Sequence, residues 1–279
     1  MAGHVVLITG CSSGIGRASA QRFVAAGHTV YATARRVDAL DALAAIGCHT
    51  LALDVTDEAS MERAVRAIEQ QHGAVDVLVN NAGYGQQGAL EETPIDRYRA
   101  QFETNVFGVV RMCQLVLPAM RANGHGRIVM VSSMGGRLTF PGGSAYHASK
   151  YALEAISDVL RFEVAKFGVS VVIVEPGLVA TGYGSAAIGA LAGEGHPGAY
   201  AAFTAGVRAA LENSFSGGVE GTSTADEVAA AVVAAATDAA PKSRYVVGAM
   251  AEQLIGLRQQ LTDAQWDDMM TTMYAQPEP

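Results

Sequence analysis

The chain has 279 residues, of which 50% are apolar and 16% are charged, and its formal net charge is −8 at pH 7. This composition excludes an intrinsically disordered chain, and the length suffices for one large domain with a substantial core. The negative charge argues against a nucleic-acid or anionic-membrane partner.

The cysteines and the apolar stretches bear on the cellular compartment of the protein. Cys11, Cys48 and Cys113 are odd in number and lack the spacing of metal ligands, so we expect free thiols and no metal site. The N-terminus has no basic segment of a signal peptide. The longest apolar stretches, at 169–174 and 228–236, are too short to span a bilayer. These observations predict a cytoplasmic protein without a membrane span.

A glycine-rich turn follows the first predicted strand. Residues 4–8 form a continuous apolar run, as expected of a buried parallel strand, and a helical pattern that ends at Gly27 follows the turn at 9–16. Glycines let the backbone approach a pyrophosphate, and a helix N-terminus offers free N–H groups to it, although an ordinary strand-to-helix turn is the alternative. The predicted cofactor-binding residues of this turn are Gly10, Ser12, Ser13, Gly14, Ile15 and Gly16.

The remaining chain alternates between predicted strands and helices. The strands are expected at 28–33, 50–53, 75–79, 127–132, 169–174 and 244–247. The helices are expected at 37–46, 57–71, 94–121, 145–167, 224–238 and 252–274, with Thr56 as an N-cap and a break near Asn105 and Gly108. This alternation predicts an α/β protein with a single-domain Rossmann fold, in which helices cover both faces of a doubly wound parallel seven-stranded sheet.

Residues 182–222 interrupt this alternation. They are rich in Gly and Ala, with scattered aromatic residues and no clean period. We expect an insertion of short helices and loop within one domain that covers residues 1–279. The apolar character of the insertion is typical of a lid over a hydrophobic substrate, and a surface loop is the alternative.

Tyr146 and Lys150 stand four residues apart at the start of a helical pattern. Positions i and i+4 share one face of a helix, so the ammonium can lie near the phenol oxygen. A phenol titrates near ~10 in water, and a neighbouring cation lowers its pKa. Ser133 follows the apolar run at 128–131, at the end of a strand, where a doubly wound sheet places its chemistry. These residues predict acid–base catalysis, with Ser132 as an alternative to Ser133.

Three other polar residues lie close to this pair in the sequence. We interpret Ser144 as a helix cap, Ser149 as a small packing residue and His147 as exposed or packing.

The end of the second predicted strand favours one of the two nicotinamide cofactors. NAD sites usually carry an acidic residue there, which accepts hydrogen bonds from the ribose 2′-OH. This chain has Ala34 at that position, followed by Arg35 and Arg36. Guanidinium groups bind a 2′-phosphate through charge-assisted hydrogen bonds, so we expect NADP(H), with NAD(H) as the alternative. Asp38 favours NAD, and a solvated turn is the structural alternative for the two arginines.

Together these motifs resemble those of the short-chain dehydrogenase/reductase family, and the resemblance runs over residues 4–247. Each motif is weak by itself, but their order and spacing are specific. The matching residues are Thr9-Gly10-x-x-x-Gly14-Ile15-Gly16, Asp54-Val55, Asn80-Asn81-Ala82-Gly83, Asn105, Ser133, Tyr146-x-x-x-Lys150 and Pro176-Gly177. Within the family, residues 9–16 and 31–33 are most similar to the 17β-hydroxysteroid and retinol dehydrogenases.

The resemblance implies a role for each matching residue. Tyr146 would be the general acid or base, Lys150 would lower the pKa of Tyr146 and bind the nicotinamide ribose, Ser133 would bind the substrate oxygen, and Asn105 would hold a water of a proton relay. Asp54 and Val55 would contact adenine, and Asn81, Ala82 and Gly83 would pass under the adenosine ribose. Pro176, Gly177, Val179 and Thr181 would meet the nicotinamide.

The resulting prediction is an NADP(H)-dependent oxidoreductase that interconverts a ketone and a secondary alcohol, with a steroid-, retinoid- or polyketide-like substrate. The alternatives are an NAD-dependent alcohol dehydrogenase of the same fold and a catalytically silent NADP(H)-binding regulator. A nucleotide-sugar epimerase is disfavoured, because such enzymes resemble a shorter glycine spacing and carry a larger C-terminal domain. Family members are commonly homodimers or homotetramers, so we expect one of these states.

Overall fold

Seven parallel strands form the central sheet of the computed structural model, which describes residues 3–193, 195, 198–215 and 221–274. The strands of this sheet are β1 (Val5–Ile8), β2 (Thr29–Ala34), β3 (His49–Ala52), β4 (Val77–Asn80), β5 (Gly126–Val131), β6 (Val169–Pro176) and β9 (Arg244–Val247). Their order is β3-β2-β1-β4-β5-β6-β9. The order reverses between β1 and β4, and ligands bind at such a switch point, beyond the carboxyl ends of the strands.

Helices cover both faces of this sheet. The helices of the described residues are α1 (Gly14–Ala25), α2 (Asp41–Ala44), α3 (Glu58–His72), α4 (Ile95–Phe102), α5 (Gly108–Asn123), α6 (Ser144–Ala165), α7 (Tyr183–Gly189), α8 (Ala201–Phe215), α9 (Ala225–Thr237), α10 (Ala249–Gln260) and α11 (Asp263–Met273). None of the helices in the described ranges is both long and apolar enough to cross a membrane.

The alternation of side chains along β1 divides the core between the two faces. Val6 and Ile8 belong to the cluster that includes Phe23 of α1 and Val228 of α9. Leu7 points the other way, into the cluster that contains residues of α3, α5 and α6. Successive strand residues face opposite sides, and both sides are apolar because both carry helices. The predicted fold is therefore confirmed, including the doubly wound parallel sheet.

The predicted break in the long helix at 94–121 is also confirmed. A π-helical turn at Glu103–Phe107 separates α4 from α5, and it contains Asn105. Helix α5 ends at Asn123, and the cap residue Gly124 adopts the left-handed conformation with φ of 71°. π-helical turns are frequent at functional sites, so this irregularity marks Asn105 structurally as well as in sequence.

Several predicted boundaries are wrong, for local reasons. Asp57, not Thr56, caps α3, since its carboxylate accepts a hydrogen bond from the Ser60 N–H. The predicted helix at 37–46 is a 3₁₀ turn at Val37–Leu40 followed by the single turn α2. The predicted helix at 252–274 is two helices, because Thr262 forms a capping box that starts α11.

The predicted insertion at 182–222 contains the two helices α7 and α8. Two-residue strands at its ends, β7 (Val179–Ala180) and β8 (Ser223–Thr224), pair in parallel and close the insertion at its base. Thr224 also caps α9 through a capping box, as its sequence indicates. Residues 194, 196, 197 and 216–220 of the insertion lie outside the described residues.

Candidate active site

A cleft of about 1020 Å³ opens at the carboxyl ends of the strands. It brings together most of the residues that the sequence predicts for catalysis and cofactor binding. The predicted residues that line it are Gly10, Ser12, Ser13, Gly14, Ile15, Arg35, Asp54, Val55, Asn81, Ala82, Gly83, Ser133, Tyr146, Lys150, Pro176, Gly177, Val179 and Thr181. Gly16, Arg36 and Asn105 are not part of its lining.

The turn between β1 and α1 has the features of a pyrophosphate cradle. Helix α1 begins at Gly14, and no side chain caps its N-terminus in the described part of the chain. Its first N–H groups are therefore available to an anion beside the positive end of the helix dipole. Gly10 has φ of +75°, and a Cβ there would lie 2.9 Å from the Ala82 Cα. The turn thus fits a dinucleotide phosphate, and only glycine fits the first position.

Gly16 and Asn81 have supporting roles behind this turn. A side chain on Gly16 would overlap the Gly10 carbonyl and the Asn81 amide, so glycine lets α1 pack closely. The Asn81 amide donates to the carbonyl oxygens of Thr9 (2.8 Å) and Gly10 (3.1 Å). The Thr9 hydroxyl accepts hydrogen bonds from the N–H groups of Asn81 and Ala82, both at 3.0 Å. These bonds hold the ends of β1 and β4 together at the floor of the cleft.

Asn105 lies outside the cleft lining and forms hydrogen bonds with Tyr84, which is part of that lining. Its side chain accepts a hydrogen bond from the Tyr84 N–H (3.2 Å) and donates to the Tyr84 carbonyl (3.0 Å) and to Ser149 Oγ (3.1 Å). Ser149 Oγ in turn donates to the Tyr146 carbonyl at 2.7 Å. Ser149 is therefore more than the small packing residue we expected. The chain of bonds ties the loop after β4 to the helix that carries Tyr146.

Ser133 and Tyr146 place two hydroxyl groups side by side in the cleft. Ser133 Oγ accepts a hydrogen bond from the Gly135 N–H at 3.0 Å, which leaves its own O–H free to donate. Burial raises the pKa of the Tyr146 phenol, and the neighbouring hydroxyls of Ser133 and Tyr183 oppose this effect. Ser133 rather than Ser132 is thus the serine beside Tyr146. Ser132 also lines the cleft, but its hydroxyl interacts with the Glu154 carboxylate.

Lys150 lies close to Tyr146, but its ammonium does not lower the pKa of the phenol below its usual value. Nζ donates to the Val131 carbonyl at 2.9 Å and lies 6.0 Å from the centre of the Tyr146 ring. Burial, which favours the neutral phenol, is the largest effect on the pKa of Tyr146, and the hydroxyls of Ser133 and Tyr183 oppose it without reversing it. The expected lowering is wrong for the protein alone, in which Tyr146 keeps its proton at neutral pH.

The burial of Lys150 makes the stability of the protein depend on pH. Burial lowers the pKa of Lys150 to about 8, although the Glu154 carboxylate opposes this effect. An unfolded lysine titrates near ~10.4, so between these values the unfolded chain binds more protons at this position. We expect the free energy of unfolding of the wild type to rise relative to that of Lys150→Met over this window. Urea unfolding of both proteins at about pH 7.5 and about pH 9.5 measures the difference. An equal difference at both values contradicts the lowered pKa.

His147 is a structural element of the cleft that the sequence did not identify. It is buried, with Nδ1 2.9 Å from the Gly135 carbonyl and Nε2 3.1 Å from the Phe140 N–H. Because Nε2 accepts this N–H, Nδ1 carries the proton, and the ring is neutral. Burial also lowers the pKa of His147, against the Gly135 carbonyl, which raises it. The imidazole thus fixes the segment from Gly135 to Phe140, which forms one wall of the cleft.

The sequence predicts the same role for Arg35 and Arg36, but the fold places only Arg35 in the cleft lining. Arg35 lines the cleft where β2 ends. The Arg36 side chain is 79% exposed, outside the lining, with Nε 3.8 Å from a carboxylate oxygen of Asp38. Asp38 is also absent from the lining, so this carboxylate does not occupy the position of an NAD-binding acid.

The far half of the cleft is apolar and is built by segments without a sequence motif. Helices α7 and α8 contribute side chains, and so does the C-terminal segment that contains α10 and α11. The apolar residues of this half are Phe140, Ala186, Val207, Ala210, Leu211, Phe215, Met250, Leu254 and Met273. Such a surface binds hydrophobic groups.

A cluster of buried charges lies behind Lys150. Glu154 is 6% exposed and Glu175 is fully buried. Arg244 donates to Glu154 (3.1 Å), to Glu175 (3.1 Å) and to Asp158 (2.7 Å), and Arg137 donates to Glu175 at 3.0 Å. Burial raises the pKa of Glu154 to about 7. The cluster therefore links α6, the helix that carries Tyr146 and Lys150, to β6 and β9.

The described residues contain no cluster of side chains that could hold a metal ion, and all three cysteines are buried and free. Fold and site therefore define an α/β protein of the dinucleotide-binding class, whose cleft holds a phenol, a hydroxyl and an amine.

Comparisons with known proteins agree with this class. The short chain dehydrogenase family model matches residues 4–192. A 3-ketodihydrosphingosine reductase of Bacteroides thetaiotaomicron is 42% identical over 181 residues, which cover 64% of this chain and 65% of that protein. VdlC of Helicobacter pylori, named a probable short-chain type dehydrogenase/reductase, is 33% identical over 265 residues, which cover 95% of this chain and 96% of that protein.

Solved structures extend the likeness to the whole fold. A short-chain dehydrogenase from Streptomyces avermitilis has a TM-score of 0.80 at 39% identity, over 96% of this chain and 97% of its own. A short-chain dehydrogenase/reductase from Burkholderia phymatum in complex with NAD has a TM-score of 0.80 at 26% identity, over 95% of each chain. A serine dehydrogenase with NADP+ has a TM-score of 0.76 at 26% identity, over 88% of this chain and 94% of its own.

The chain belongs to the short-chain dehydrogenase family. It is an NAD(P)-dependent oxidoreductase, and the similar structures include one with each nicotinamide cofactor.

Proposed function

We propose that the protein is an NADP(H)-dependent oxidoreductase that interconverts a hydrophobic ketone and the corresponding secondary alcohol. The observation that carries the proposal is a single cleft in which the glycine turn, the hydroxyls of Ser133 and Tyr146, and an apolar wall lie together. A cofactor site alone is compatible with a silent regulator. The two hydroxyls beside Lys150 are the parts that a regulator does not need.

The chemistry follows from the arrangement of donors in the cleft. The nicotinamide, when bound, supplies or accepts the hydride. Ser133 and Tyr146 donate hydrogen bonds to the substrate oxygen, on which negative charge develops during ketone reduction. Tyr146 then gives its proton to that oxygen, and it takes the proton back in alcohol oxidation. Burial keeps the phenol protonated near neutral pH, which suits the donor that ketone reduction requires.

The apolar half of the cleft supports a hydrophobic substrate. It includes Val207, Leu211 and Phe215 of α8, which line the same cleft as Tyr146. The β7–β8 pair holds the two ends of the insertion together, and α7 and α8 between them line the cleft as substrate-covering segments do. We therefore assign residues 182–222 the role of a substrate lid.

The position of Arg35 supports NADP(H) over NAD(H). It lies in the cleft wall beyond β2, where a ribose 2′-phosphate would sit, and the Asp38 carboxylate is outside the lining. Ser12 and Ser13 line the same region and offer further donors.

Replacing Arg35 with alanine tests the cofactor assignment. We expect the Kd for NADPH to rise by about 10- to 100-fold, the effect of losing charge-assisted hydrogen bonds to a phosphate, while the Kd for NADH changes little. Arg36→Ala is the matched control and should bind both cofactors like the wild type. Titration of each protein with NADPH and NADH, followed by nicotinamide fluorescence, provides the constants. Tighter binding of NADH than of NADPH by the wild type overturns the assignment.

The proposed activity is tested by following the absorbance of NADPH and NADH with straight-chain methyl ketones of increasing length and with cyclic ketones. We expect NADPH oxidation that becomes faster, at equal concentration, as the apolar part of the ketone grows. NADPH binding without turnover of any ketone or secondary alcohol would instead support the regulator.

A further inference from the structure

The carboxamide of Gln87 is a polar group in the half of the cleft that the insertion lines. Gln87 belongs to the loop after β4, lines the cleft and is 8% exposed. Within the described part of the chain, its Oε1 and Nε2 atoms have no hydrogen-bond partner. A ligand that covers this amide without bonding to it removes the hydrogen bonds of the amide with water, so the amide favours a ligand that replaces them.

The backbone of the loop holds this side chain in place. The Gln87 carbonyl accepts hydrogen bonds from the Ala192 N–H (2.9 Å) and from Gln86 Nε2 (2.7 Å). The next N–H, of Gly88, donates to the Gly142 carbonyl at 2.8 Å. These bonds tie the loop to the insertion and to the segment before α6, so the amide is presented from a fixed backbone, which lowers the cost of ordering it on binding.

Two glycines leave space around the amide. A Cβ on Gly85 would overlap the Tyr183 hydroxyl and lie 3.5 Å from Gln87 Nε2. A Cβ on Gly143 would lie 2.5 Å from the His147 ring and 3.4 Å from Gln87 Oε1. Neither glycine has a positive φ, so the missing side chains serve to make room.

The amide is close to the reactive phenol. The Tyr183 hydroxyl borders the same place beside Gly85 as the amide nitrogen does. This hydroxyl interacts with the Tyr146 phenol, and the two ring centres are 5.8 Å apart. Tyr183 thus serves Tyr146, and the neighbouring amide is the group left for the substrate. A substrate whose carbonyl oxygen lies at Ser133 and Tyr146 can reach the Gln87 amide with another of its groups.

The chemistry of the amide matches a neutral polar group. It offers an N–H donor and a carbonyl acceptor, and a hydroxyl group can both donate and accept. The wall of this half also contains the apolar side chains of Ala186, Val207 and Phe140, which form no hydrogen bonds. A site that bonds a substrate hydroxyl discriminates against an analogue without it, because the polar group of the protein is then left unpaired.

We propose that Gln87 is a specificity-determining residue that binds a neutral hydroxyl or amide group of the substrate, apart from the carbonyl that reacts. The inference rests on the proposed ketone reductase activity and narrows its substrate class to apolar ketones that carry a second, neutral polar group. Ser133 and Tyr146 bind the reacting oxygen, and Gln87 binds the group that distinguishes the substrate from a plain apolar ketone.

The test uses pairs of ketones in which a hydroxyl replaces a methyl group at an increasing distance from the carbonyl. The pairs are 4-hydroxy- and 4-methyl-2-octanone, 3′-(hydroxymethyl)- and 3′-ethylacetophenone, and 4′-(hydroxymethyl)- and 4′-ethylacetophenone. We expect the wild type to favour the hydroxyl member of at least one pair by about 10-fold in kcat/KM, the effect of one hydrogen bond. Gln87→Met, which keeps the length of the side chain, should abolish this preference and change kcat/KM for the methyl member by less than about 2-fold.

Gln114→Met is the matched control, because Gln114 is exposed and lies outside the cleft lining. It should keep the wild-type preference. A Kd for NADPH like that of the wild type shows that Gln87→Met is folded, and Gln87→Leu takes its place if it is not.

The possible results separate this inference from the activity on which it depends. Reduction of none of the ketones by the wild type overturns the reductase proposal itself. Reduction without preference for a hydroxyl member in any pair overturns the inference alone. A preference that persists in Gln87→Met, or an equal loss for both members of each pair, overturns it as well, whereas a loss confined to the hydroxyl member supports it.

Discussion

Replacing Tyr146 with phenylalanine is expected to lower kcat/KM for ketone reduction by about 10²- to 10⁴-fold, the usual contribution of general acid catalysis. The substitution removes one oxygen and leaves the ring, which packs against His147 and Tyr183 at centre distances of 5.6 and 5.8 Å. The cleft should therefore keep its shape and still bind NADPH. The loss should appear mainly in kcat, because the proton is transferred in the transition state.

Tyr151→Phe is a suitable control for this substitution. Tyr151 lies on the same helix, one position after Lys150, and its side chain is 43% exposed, away from the cleft. It should retain the wild-type kcat/KM. Stopped-flow measurement of NADPH oxidation at saturating cofactor, together with a separate NADPH titration, distinguishes lost chemistry from lost binding. Wild-type turnover in Tyr146→Phe would remove the phenol from the mechanism.

Replacing Arg244 with methionine is expected to destabilise the protein by about 3–5 kcal/mol at about pH 8, because it leaves buried charges without their partner. Arg244 bonds Glu154 and Glu175, which are 6% and 0% exposed, and it also bonds Asp158 on the same helix as Glu154. Among the described residues, Arg137 is then the one cation that still bonds Glu175. The methionine side chain matches the length of the arginine stem, so the effect reports the lost charge.

The cost of this substitution should be smaller at about pH 6 than at about pH 8. The pKa of Glu154 is already raised to about 7 by burial, and the loss of Arg244 raises it further. At the lower pH, Glu154 takes up a proton, and an unpaired buried charge is avoided. Urea unfolding of the variant and the wild type at both pH values measures the two differences.

Arg99→Met is the control for Arg244→Met. Arg99 pairs with Asp96, and the two side chains are 69% and 88% exposed. Solvent-exposed ion pairs contribute little, so this variant should stay within about 0.5 kcal/mol of the wild type at both pH values. A change for Arg244→Met as small as this would show that the buried carboxylates do not depend on the guanidinium.

Much of the fold was predictable because its signals are local and periodic. The apolar runs of the strands, the turn at residues 9–16 and the capping sequence at Thr224 each operate over a few residues. The boundaries failed where two local signals competed. Thr56 and Asp57 are both good caps, and only the backbone geometry selects the aspartate. The helical pattern at 252–274 continues through Thr262, so the sequence did not show that the capping box of Thr262 and Gln265 starts a second helix.

The candidate site was predictable to the extent that its residues belong to motifs. Ser133, Tyr146 and Lys150 were found by spacing, and the cleft brings them together. His147, Tyr183 and the C-terminal segment were not, because nothing in their neighbourhood along the chain distinguishes them from packing residues. The direction in which the pKa of Tyr146 shifts was also not predicted, since the shift depends on how deeply the ring is buried.

The sequence by itself determined the order of strands and helices along the chain, the glycine turn and the residues that we propose to react, because these depend on periodicity and spacing along the chain. Tertiary structure alone decided which arginine faces the cleft, which phenol stands beside Tyr146, and that Arg244 balances a carboxylate 90 positions away. Each of these depends on burial and on contacts between distant segments, and such contacts set the dielectric surroundings and the free hydrogen-bond donors of the site.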